Sequence, residues 1–252
     1  KIEGYFHSVC KALGDTPIIV RANGLPVKGV ALLGGKALTQ IVIRNDAGAS
    51  DMAGLKGKKI GVMAFQDTTY YNLLAALQSA GLSKDDVDIQ AVGPAGMVQL
   101  MISGDLDAIS GTPDWAASIE GAGVGLTILP INDMFPAMAQ AILSSDDTIK
   151  NKPELVRGFV QATLHGLRDV MEDPEGSATL LAEKVPQFGG KEAFLTEVMK
   201  RYTELVYSVD DMKDLGKFDP ARVQAVEDFY LQAGIINTAP PLDDLFTNEF
   251  VD

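Results

Sequence analysis

Two short polar segments of the sequence carry side chains suited to binding a small molecule. The segment Gln66–Tyr70 offers an amide, a carboxylate, two hydroxyls and a phenol in succession. The segment Thr112–Trp115 adds a hydroxyl, a second carboxylate and the indole of the only tryptophan in the chain. Such groups hold a ligand by hydrogen bonds and by a flat apolar wall, so they predict recognition rather than a reaction.

The first segment also has the composition of a helix start. Asp67, Thr68 and Thr69 are N-cap residue types, and the apolar run that follows them has helical spacing. A helix beginning here would aim unpaired N–H groups and the positive end of its dipole beyond the carboxyl end of the preceding strand. Open α/β sheets bind their ligands at that edge. The alternative for Asp67 is a purely structural cap.

Other candidates are aromatic or basic. Phe135 can form a second apolar wall or cap the core, and His7 can face the ligand from the end of a strand. Arg44 and Arg168 are the basic candidates for an anionic ligand, although the two polar segments contain no Lys or Arg. The sequence therefore favours a ligand with an aromatic ring or an apolar body. The predicted ligand-binding residues are Gln66, Asp67, Thr68, Thr69, Tyr70, Thr112, Asp114, Trp115, Phe135 and His7.

The sequence contains few of the residues and motifs that catalysis, metal binding or cofactor binding requires. The chain has one cysteine and two histidines, too few for a thiolate metal site and a poor basis for a Ser-His-Asp triad. Cys10 is expected to be a small buried apolar residue, with a catalytic thiol as the alternative. Neither Gly34-Gly35-Lys36 nor Gly93–Gly96 has the spacing of a phosphate-binding loop or a dinucleotide fingerprint. We predict no catalytic residue, no metal and no cofactor.

The first half of the chain alternates predicted strands and helices, which indicates an α/β fold. The polar segment Gln66–Tyr70 follows a predicted strand at Lys59–Ala64, and Thr112 follows one at Ala108–Gly111. Further strands are predicted at Ile18–Arg21, Val27–Leu33, Ile41–Arg44, Asp88–Ala91, Leu126–Pro130 and Ala139–Leu143.

The second half is predicted to be helical. Four amphipathic segments cover residues 152–171, 174–183, 192–206 and 220–231, and no convincing strand follows residue 147. The β-rich runs Gln40–Asp46 and Gln140–Asp146 each end in polar residues at a change of element. They are the candidates for strands that cross between two lobes.

Composition limits the class of protein. A chain of 252 residues with 46% hydrophobic residues can build one large core or two smaller ones. A formal net charge of −13 argues against nucleic acid as a partner. No apolar run approaches the roughly 20 residues of a membrane-spanning helix, and the first residues lack a signal-peptide pattern. We therefore expect a cytosolic protein or a secreted one that is already processed.

Several motifs, in this order and spacing, resemble one group of proteins. The group comprises the nitrate-, sulfonate-, taurine- and thiamine-precursor-binding proteins of ABC importers. The motifs are Gly4-Tyr5-Phe6, Gly24-Leu25-Pro26-Val27-Lys28, Leu55–Val62, Gly104-Asp105-Leu106-Asp107-Ala108 and Lys152-Pro153-Glu154-Leu155-Val156.

The resemblance implies a two-lobed α/β fold of the type II periplasmic-binding-protein kind. Two crossing hinge strands would join the lobes, the ligand would lie between them, and the C-terminal part would be helical. Lobe one is predicted to comprise residues 1–43 and 144–252, and lobe two residues 44–143. In the family about 40 residues separate the Gly-Tyr-Phe motif from the segment resembling His7–Cys10. We therefore expect residues to be missing between Phe6 and His7.

The predicted function is that of an extracytoplasmic solute-binding component of an ABC transporter, without catalysis. Its ligand would be a small organic molecule, either aromatic or heterocyclic, or a sulfonate or carboxylate. Its partner would be the membrane permease, with no nucleic acid, and the protein would be a monomer. We expect it in the periplasm or anchored outside the membrane, with its signal peptide removed.

Two alternatives stay open at this point. One is an enzyme of the thiamine-pyrimidine synthesis type, although a single cysteine cannot supply the cysteine-rich motif of those enzymes. The other is the ligand-sensing domain of a receptor.

Overall fold

A computed structural model describes residues 9–252, so the Gly-Tyr-Phe motif and His7 lie outside the described residues. The strands are β1 (Val9–Leu13), β2 (Val27–Leu33), β3 (Gln40–Arg44), β4 (Lys59–Val62), β5 (Asp88–Ala91), β6 (Ala108–Gly111), β7 (Leu126–Pro130) and β8 (Gln140–Ser145). The α-helices are α1 (Thr16–Ala22), α2 (Thr68–Ser79), α3 (Gly93–Ser103), α4 (Pro113–Gly121), α5 (Asp146–Asn151), α6 (Pro153–Glu172), α7 (Pro174–Lys184), α8 (Glu192–Tyr202), α9 (Pro220–Gln232) and α10 (Leu242–Leu245).

The described chain folds as two compact units. Unit 1 comprises the described residues up to Lys36 together with Ala137–Glu192 and Val206–Asp252. Unit 2 comprises Ala37–Pro136 and Ala193–Leu205. Within residues 9–252, no helix has both the length and the hydropathy that a bilayer span requires.

These units divide the chain at points other than the predicted lobe boundaries of 43/44 and 143/144. Strand β3 already pairs at Gln40 with two strands of unit 2, opposite Gly111 and Pro130. Strand β8 likewise begins to pair within unit 1 at Gln140. Each strand therefore lies in the sheet of one unit, and the chain passes between units in the residues just before it.

Unit 2 is built around a five-stranded sheet in the order β5-β4-β6-β3-β7. Strands β4, β5 and β6 are parallel, whereas β3 runs antiparallel to β6 and β7. One face of this sheet packs against α3 and α4 through a cluster that includes Val42, Met97, Ile109 and Ile119. The carboxyl ends of β4, β5, β6 and β7 therefore lie at one edge of the sheet, beside the beginning of β3.

Unit 1 is built around a three-stranded sheet in which β8 lies between β1 and β2, antiparallel to both. Its core includes Val30, Ile142, Val160 and Phe250, which are all buried. Cys10 lies half-buried on β1, and burial raises the pKa of its thiol. The expected role of Cys10 as a small apolar residue fits this environment better than a reactive thiolate does.

The predicted strand Ile18–Arg21 is wrong, because these residues belong to α1. The run of β-branched residues favours a strand, but Pro17 in the first helical turn, after Asp15 at the N-cap position, favours a helix. The strands predicted at Asp88–Ala91, Ala108–Gly111 and Leu126–Pro130 coincide with β5, β6 and β7. The four predicted C-terminal helices correspond to α6, α7, α8 and α9.

Helix α9 carries a buried carboxyl group on its core-facing side. Glu227 is only 2% exposed and lies in the same buried stripe as Val223, Val226 and Tyr230. Gln224 donates a 3.0 Å hydrogen bond to Glu227 Oε2, and Oε1 has no hydrogen-bond partner among the described residues. Burial raises the pKa of this carboxyl above its ordinary value of 4.5.

The raised pKa predicts how stability depends on pH. Because the folded state disfavours ionised Glu227, its contribution is fully present below the ordinary pKa and is lost as the pH rises through the raised value. We therefore expect Glu227→Gln to melt at the same temperature as the parent near pH 4 and a few degrees above it at pH 7. Thermal melts across this range check it. The exposed Glu175→Gln on α7 should show no such divergence, and parallel curves for the parent and E227Q would contradict the prediction.

Candidate functional site

The predicted site residues of unit 2 lie at the carboxyl edge of its sheet. Strand β4 ends at Val62, and the loop 63–67 leads directly into α2. Strand β6 ends at Gly111, and Thr112 is the N-cap residue of α4. Because β4 and β6 are parallel neighbours, these two loops leave the sheet side by side. The sequence prediction that both segments follow strand ends is confirmed.

At the start of α2, two predicted ligand-binding residues also stabilise the local fold. Asp67 is the N-cap, and its Oδ1 accepts a 2.8 Å hydrogen bond from the N–H of Thr69. The hydroxyl of Thr69 in turn accepts a 3.0 Å hydrogen bond from the N–H of Met63. Thr68 and Thr69 are both buried. Asp67 therefore has the capping role considered as its alternative.

An aromatic cluster lies on the outer side of this loop. The rings of Phe65 and Tyr70 meet edge to face with centroids 5.4 Å apart, and the ring of Tyr71 lies 6.0 Å from that of Tyr70. Phe65 is 50% exposed. Gln66 is also exposed. The loop thus presents an accessible aromatic ring beside an amide group.

The second predicted segment lies on the first turn of α4. Trp115 is partly buried and packs against the same cluster as Ile109. Its Cε3 atom would lie 3.2 Å from a Cβ atom built on Gly111, so the indole lies over Gly111 at the end of β6. The missing side chain at Gly111 is what allows this close approach. Thr112 makes no side-chain cap, although it has the N-cap position.

Helix α8 contributes a residue that sequence reasoning misses. The hydroxyl of Tyr202 donates a 2.8 Å hydrogen bond to Asp114 Oδ1. Arg201 lies next to it and forms ion pairs with Glu120 at 2.5 Å and with Glu197 at 2.7 Å. The contacts with Asp114 and Glu120 hold α8 against α4, and the hydrogen bond fixes the carboxylate of Asp114. The sequence gives no local signal for them, because the amphipathic pattern of α8 does not reveal its packing partner.

Four buried polar residues at the same edge are also absent from the prediction. Asn72 on α2 donates a 2.7 Å hydrogen bond to the hydroxyl of Thr39. Gln40 Oε1 and Ser110 Oγ have no hydrogen-bond partner among the described residues, although the two residues are 1% and 0% exposed. An unpaired buried polar atom costs about 1–3 kcal/mol, so such groups commonly mark functional sites.

The register places Gln40 beside the indole. Gln40 lies directly opposite Gly111, so its side chain leaves the sheet on the face that Trp115 covers. Its Nε2 donates a 3.4 Å hydrogen bond to Ala37 O, which directs the amide towards the carboxyl edge. Gln40 Oε1 is thus a buried acceptor on the face of the sheet that the indole covers.

The electrostatics of this edge are acidic. Its loops, residues 63–67, 92–96, 112–115 and 131–136, contain three aspartates and no Lys or Arg. Arg44 ends β3 at the opposite edge, where it binds Asp46 at 2.6 Å and lowers the pKa of that carboxyl. Of the helices that begin at the site, α2 and α4 each carry a carboxylate in or next to the first turn. An anion would therefore meet little positive charge here.

The two remaining predicted residues are Phe135 and His7. Phe135 is half-buried in the segment after β7, and its N–H donates to Ile131 O. His7 lies outside the described residues. Among residues 9–252, no three His, Cys, Asp or Glu side chains are grouped as a metal site would require.

Comparison with known proteins places the chain in a family. A model of the family described as NMT1/THI5 like matches residues 12–177. The chain belongs to this family. The match covers the whole of the unit 2 sheet and every candidate site residue in the described part of that sheet's carboxyl edge. The resemblance predicted from the sequence motifs is thereby confirmed.

Two relatives of this NMT1/THI5-like chain are binding proteins by name. The riboflavin-binding protein RibY of Chloroflexus aurantiacus is 29% identical over 94% of this chain and 68% of its own length. The taurine-binding periplasmic protein of Escherichia coli is 26% identical over 65% of this chain and 51% of its own length. The predicted relationship to solute-binding proteins is confirmed at this level.

Solved structures establish the fold. The periplasmic aliphatic sulphonate binding protein SsuA of Escherichia coli superposes with a TM-score of 0.72 at 16% identity, over 94% of this chain and 74% of that one. The predicted periplasmic-binding-protein-like fold is therefore confirmed. The desulfurization enzyme DSZB superposes with a TM-score of 0.62 at 17% identity, over 96% of this chain and 83% of that one. The fold by itself does not separate binding from catalysis.

Proposed function

We propose that this NMT1/THI5-like protein is the solute-binding component of an ABC importer and that its ligand carries an aromatic or heterocyclic ring. The observation that carries the ligand class is the composition of the carboxyl edge of unit 2. Exposed Phe65, the indole of Trp115 and the buried acceptor of Gln40 lie there, whereas Lys and Arg are absent from its loops. Flat rings with a polar edge match such a surface.

The relatives support this choice unequally. RibY matches 94% of this chain. It is named for riboflavin, whose ring system is flat and heterocyclic. The taurine-binding relative is named for a sulfonate, and it matches a smaller part of this chain. A sulfonate would need Arg, Lys or free N–H groups, and the acidic loops of unit 2 favour it less.

The proposal assigns binding without catalysis. The candidate residues are hydrogen-bonding and aromatic groups, and none of them forms a nucleophile–base pair in the described residues. The partner would be the permease of the importer, outside the cytoplasm, and the net charge of −13 supports the absence of nucleic acid as a partner. We place the two lobes of the binding protein on units 1 and 2, with the protein acting as a monomer.

A thermal-shift screen with riboflavin, a pyrimidine, taurine and nitrate tests the ligand class. A ligand at 100 times its dissociation constant stabilises the folded state by about 2.7 kcal/mol, which raises the melting temperature measurably. We expect a shift with a ring compound and none with nitrate. A shift with taurine or nitrate alone would overturn the aromatic class while keeping the binding function.

Trp115→Ala is expected to weaken binding of the ring compound about fivefold or more, because an aromatic pair contributes about 0.5–1.5 kcal/mol beyond its buried area. Isothermal titration calorimetry measures the change. Trp115→Phe, which keeps an aromatic face, should lose less affinity than Trp115→Ala. Equal affinity of the parent and W115A would remove Trp115 from the site.

A further inference from the structure

The chain passes between the two units at residues 36/37, 136/137, 192/193 and 205/206. We call each of these points a crossover. A binding protein whose units move relative to each other must bend at or near its crossovers, so the contacts that hold them determine where it bends.

A single guanidinium binds the backbone on the unit 1 side of two crossovers. Arg222 lies in the first turn of α9, and its Nε donates a 3.0 Å hydrogen bond to Ala137 O. Its Nη2 donates to the same carbonyl, and its Nη1 donates to Gly35 O. Ala137 directly follows the crossover at 136/137, and Gly35 lies just before the crossover at 36/37.

A third crossover joins this cluster through the backbone. The N–H of Lys36 donates a 3.0 Å hydrogen bond to Val206 O, the first residue of unit 1 after the crossover at 205/206. That crossover lies inside a π-helical turn, Thr203–Tyr207, which directly follows α8. Turns of this kind are rare in proteins, and those that occur often lie at functional sites.

The chemistry of Arg222 suits this role. The planar guanidinium has five donors in a rigid fork, so it can bind two carbonyl groups from different segments at fixed positions. Lysine offers one compact ammonium on a flexible stem. Charge-assisted hydrogen bonds are about twice as strong as neutral ones, and partial burial shields these from water.

We propose that Arg222 is a positioning residue that fixes the crossovers at 36/37 and 136/137 to unit 1. Bending at these two crossovers is then confined to the unit 2 side, in residues 37–39 and 134–136. Helix α9 thereby holds one end of each bending segment in place. The consequence for ligand capture rests on the proposed function, since bending matters for binding only if both units contact the ligand.

Hydrogen exchange of the ligand-free protein tests the anchoring. In Arg222→Lys we expect the Lys36 amide, which is bonded to Val206 O, to exchange at least tenfold faster than in the parent. The amides of β6 in unit 2 should exchange as before. Arg168→Lys on α6 is the matched control, and its exchange should equal that of the parent at both places.

Two results would overturn the proposal. Unchanged exchange at Lys36 in both Arg222→Lys and Arg222→Met would show that the guanidinium does not hold the crossovers. Equally faster exchange at Lys36 and in β6 would show a general loss of stability instead of local anchoring. Arg222→Lys keeps the charge and most of the stem, so it remains informative if Arg222→Met fails to fold.

A distance measurement tests the effect on motion. Spin labels at Lys84→Cys in unit 2 and Glu183→Cys in unit 1, both exposed, report the distribution of distances between the units in a Cys10→Ser background. We expect a broader distribution in Arg222→Lys without ligand, and an unchanged width would contradict the proposal. Failure of every ligand to bind would contradict the proposed function but would leave both of these measurements valid.

Discussion

Replacing Gly34 by alanine is expected to lower the free energy of unfolding by about 3 kcal/mol or more, at the severe end of single substitutions. Gly34 has a φ of +138°, which side-chain-bearing residues rarely adopt. A Cβ atom there would also overlap Val206 O and lie 3.0 Å from Val206 C and 3.1 Å from Tyr207 Cα. These are backbone atoms, so no side-chain rotation relieves the overlap. Urea unfolding of the parent and G34A measures the loss.

Gly24→Ala is the matched control for Gly34→Ala. Gly24 also has a positive φ, of +83°, but a Cβ atom there would meet nothing within 4 Å. Its expected cost is about 1 kcal/mol, from the backbone conformation alone. If the two variants lost equal stability, backbone strain would explain both losses, and the close contact with Val206 would contribute nothing to the free energy of unfolding.

Tyr230→Phe is expected to cost about 2 kcal/mol, because it removes the hydrogen bond that a buried carboxyl group accepts. Tyr230 is fully buried on α9, and its hydroxyl donates to Asp15 Oδ2, which belongs to a residue only 3% exposed. Phenylalanine keeps the ring, so the loss isolates the hydroxyl. The midpoint of urea unfolding reports it.

Tyr202→Phe tests whether burial is the reason. The hydroxyl of Tyr202 makes the same kind of hydrogen bond, to Asp114, but in a partly buried setting. Water can reach that site, so we expect a loss of about 1 kcal/mol or less. A loss in Y202F as large as that in Y230F would contradict the role of burial.

Much of the fold could be predicted because local signals agree with the final structure. Strands β5, β6 and β7 are short apolar runs bounded by turn residues, and α2 begins at the Asp67 cap that the sequence indicates. At Ile18–Arg21 two local signals conflict, and the proline and cap position prevail over the β-branched run. At these residues the sequence pattern alone does not determine whether a helix or a strand forms.

The candidate site could be predicted in part. Loops after strand ends are readable from sequence, so the segments containing Asp67 and Trp115 were found. The contact between Tyr202 and Asp114 could not be predicted, because 88 residues separate them and the sequence of α8 does not indicate which helix it packs against. Gln40 was missed for a different reason, since a polar residue at the start of a strand is ordinary until the register places it beside Gly111.

The sheets of the two units become complete at different stages of synthesis. All five strands of unit 2 lie between residues 40 and 130, so its sheet is complete in sequence before β8 begins at Gln140. In unit 1, β8 is the central strand, and β1 and β2 pair with it and not with each other. Because pairing distant segments is slow, we expect the sheet of unit 1 to form after the sheet of unit 2. A nascent chain that ends before residue 140 therefore leaves β1 and β2 without their central strand, and chaperones that bind unfolded chains would find those two strands accessible.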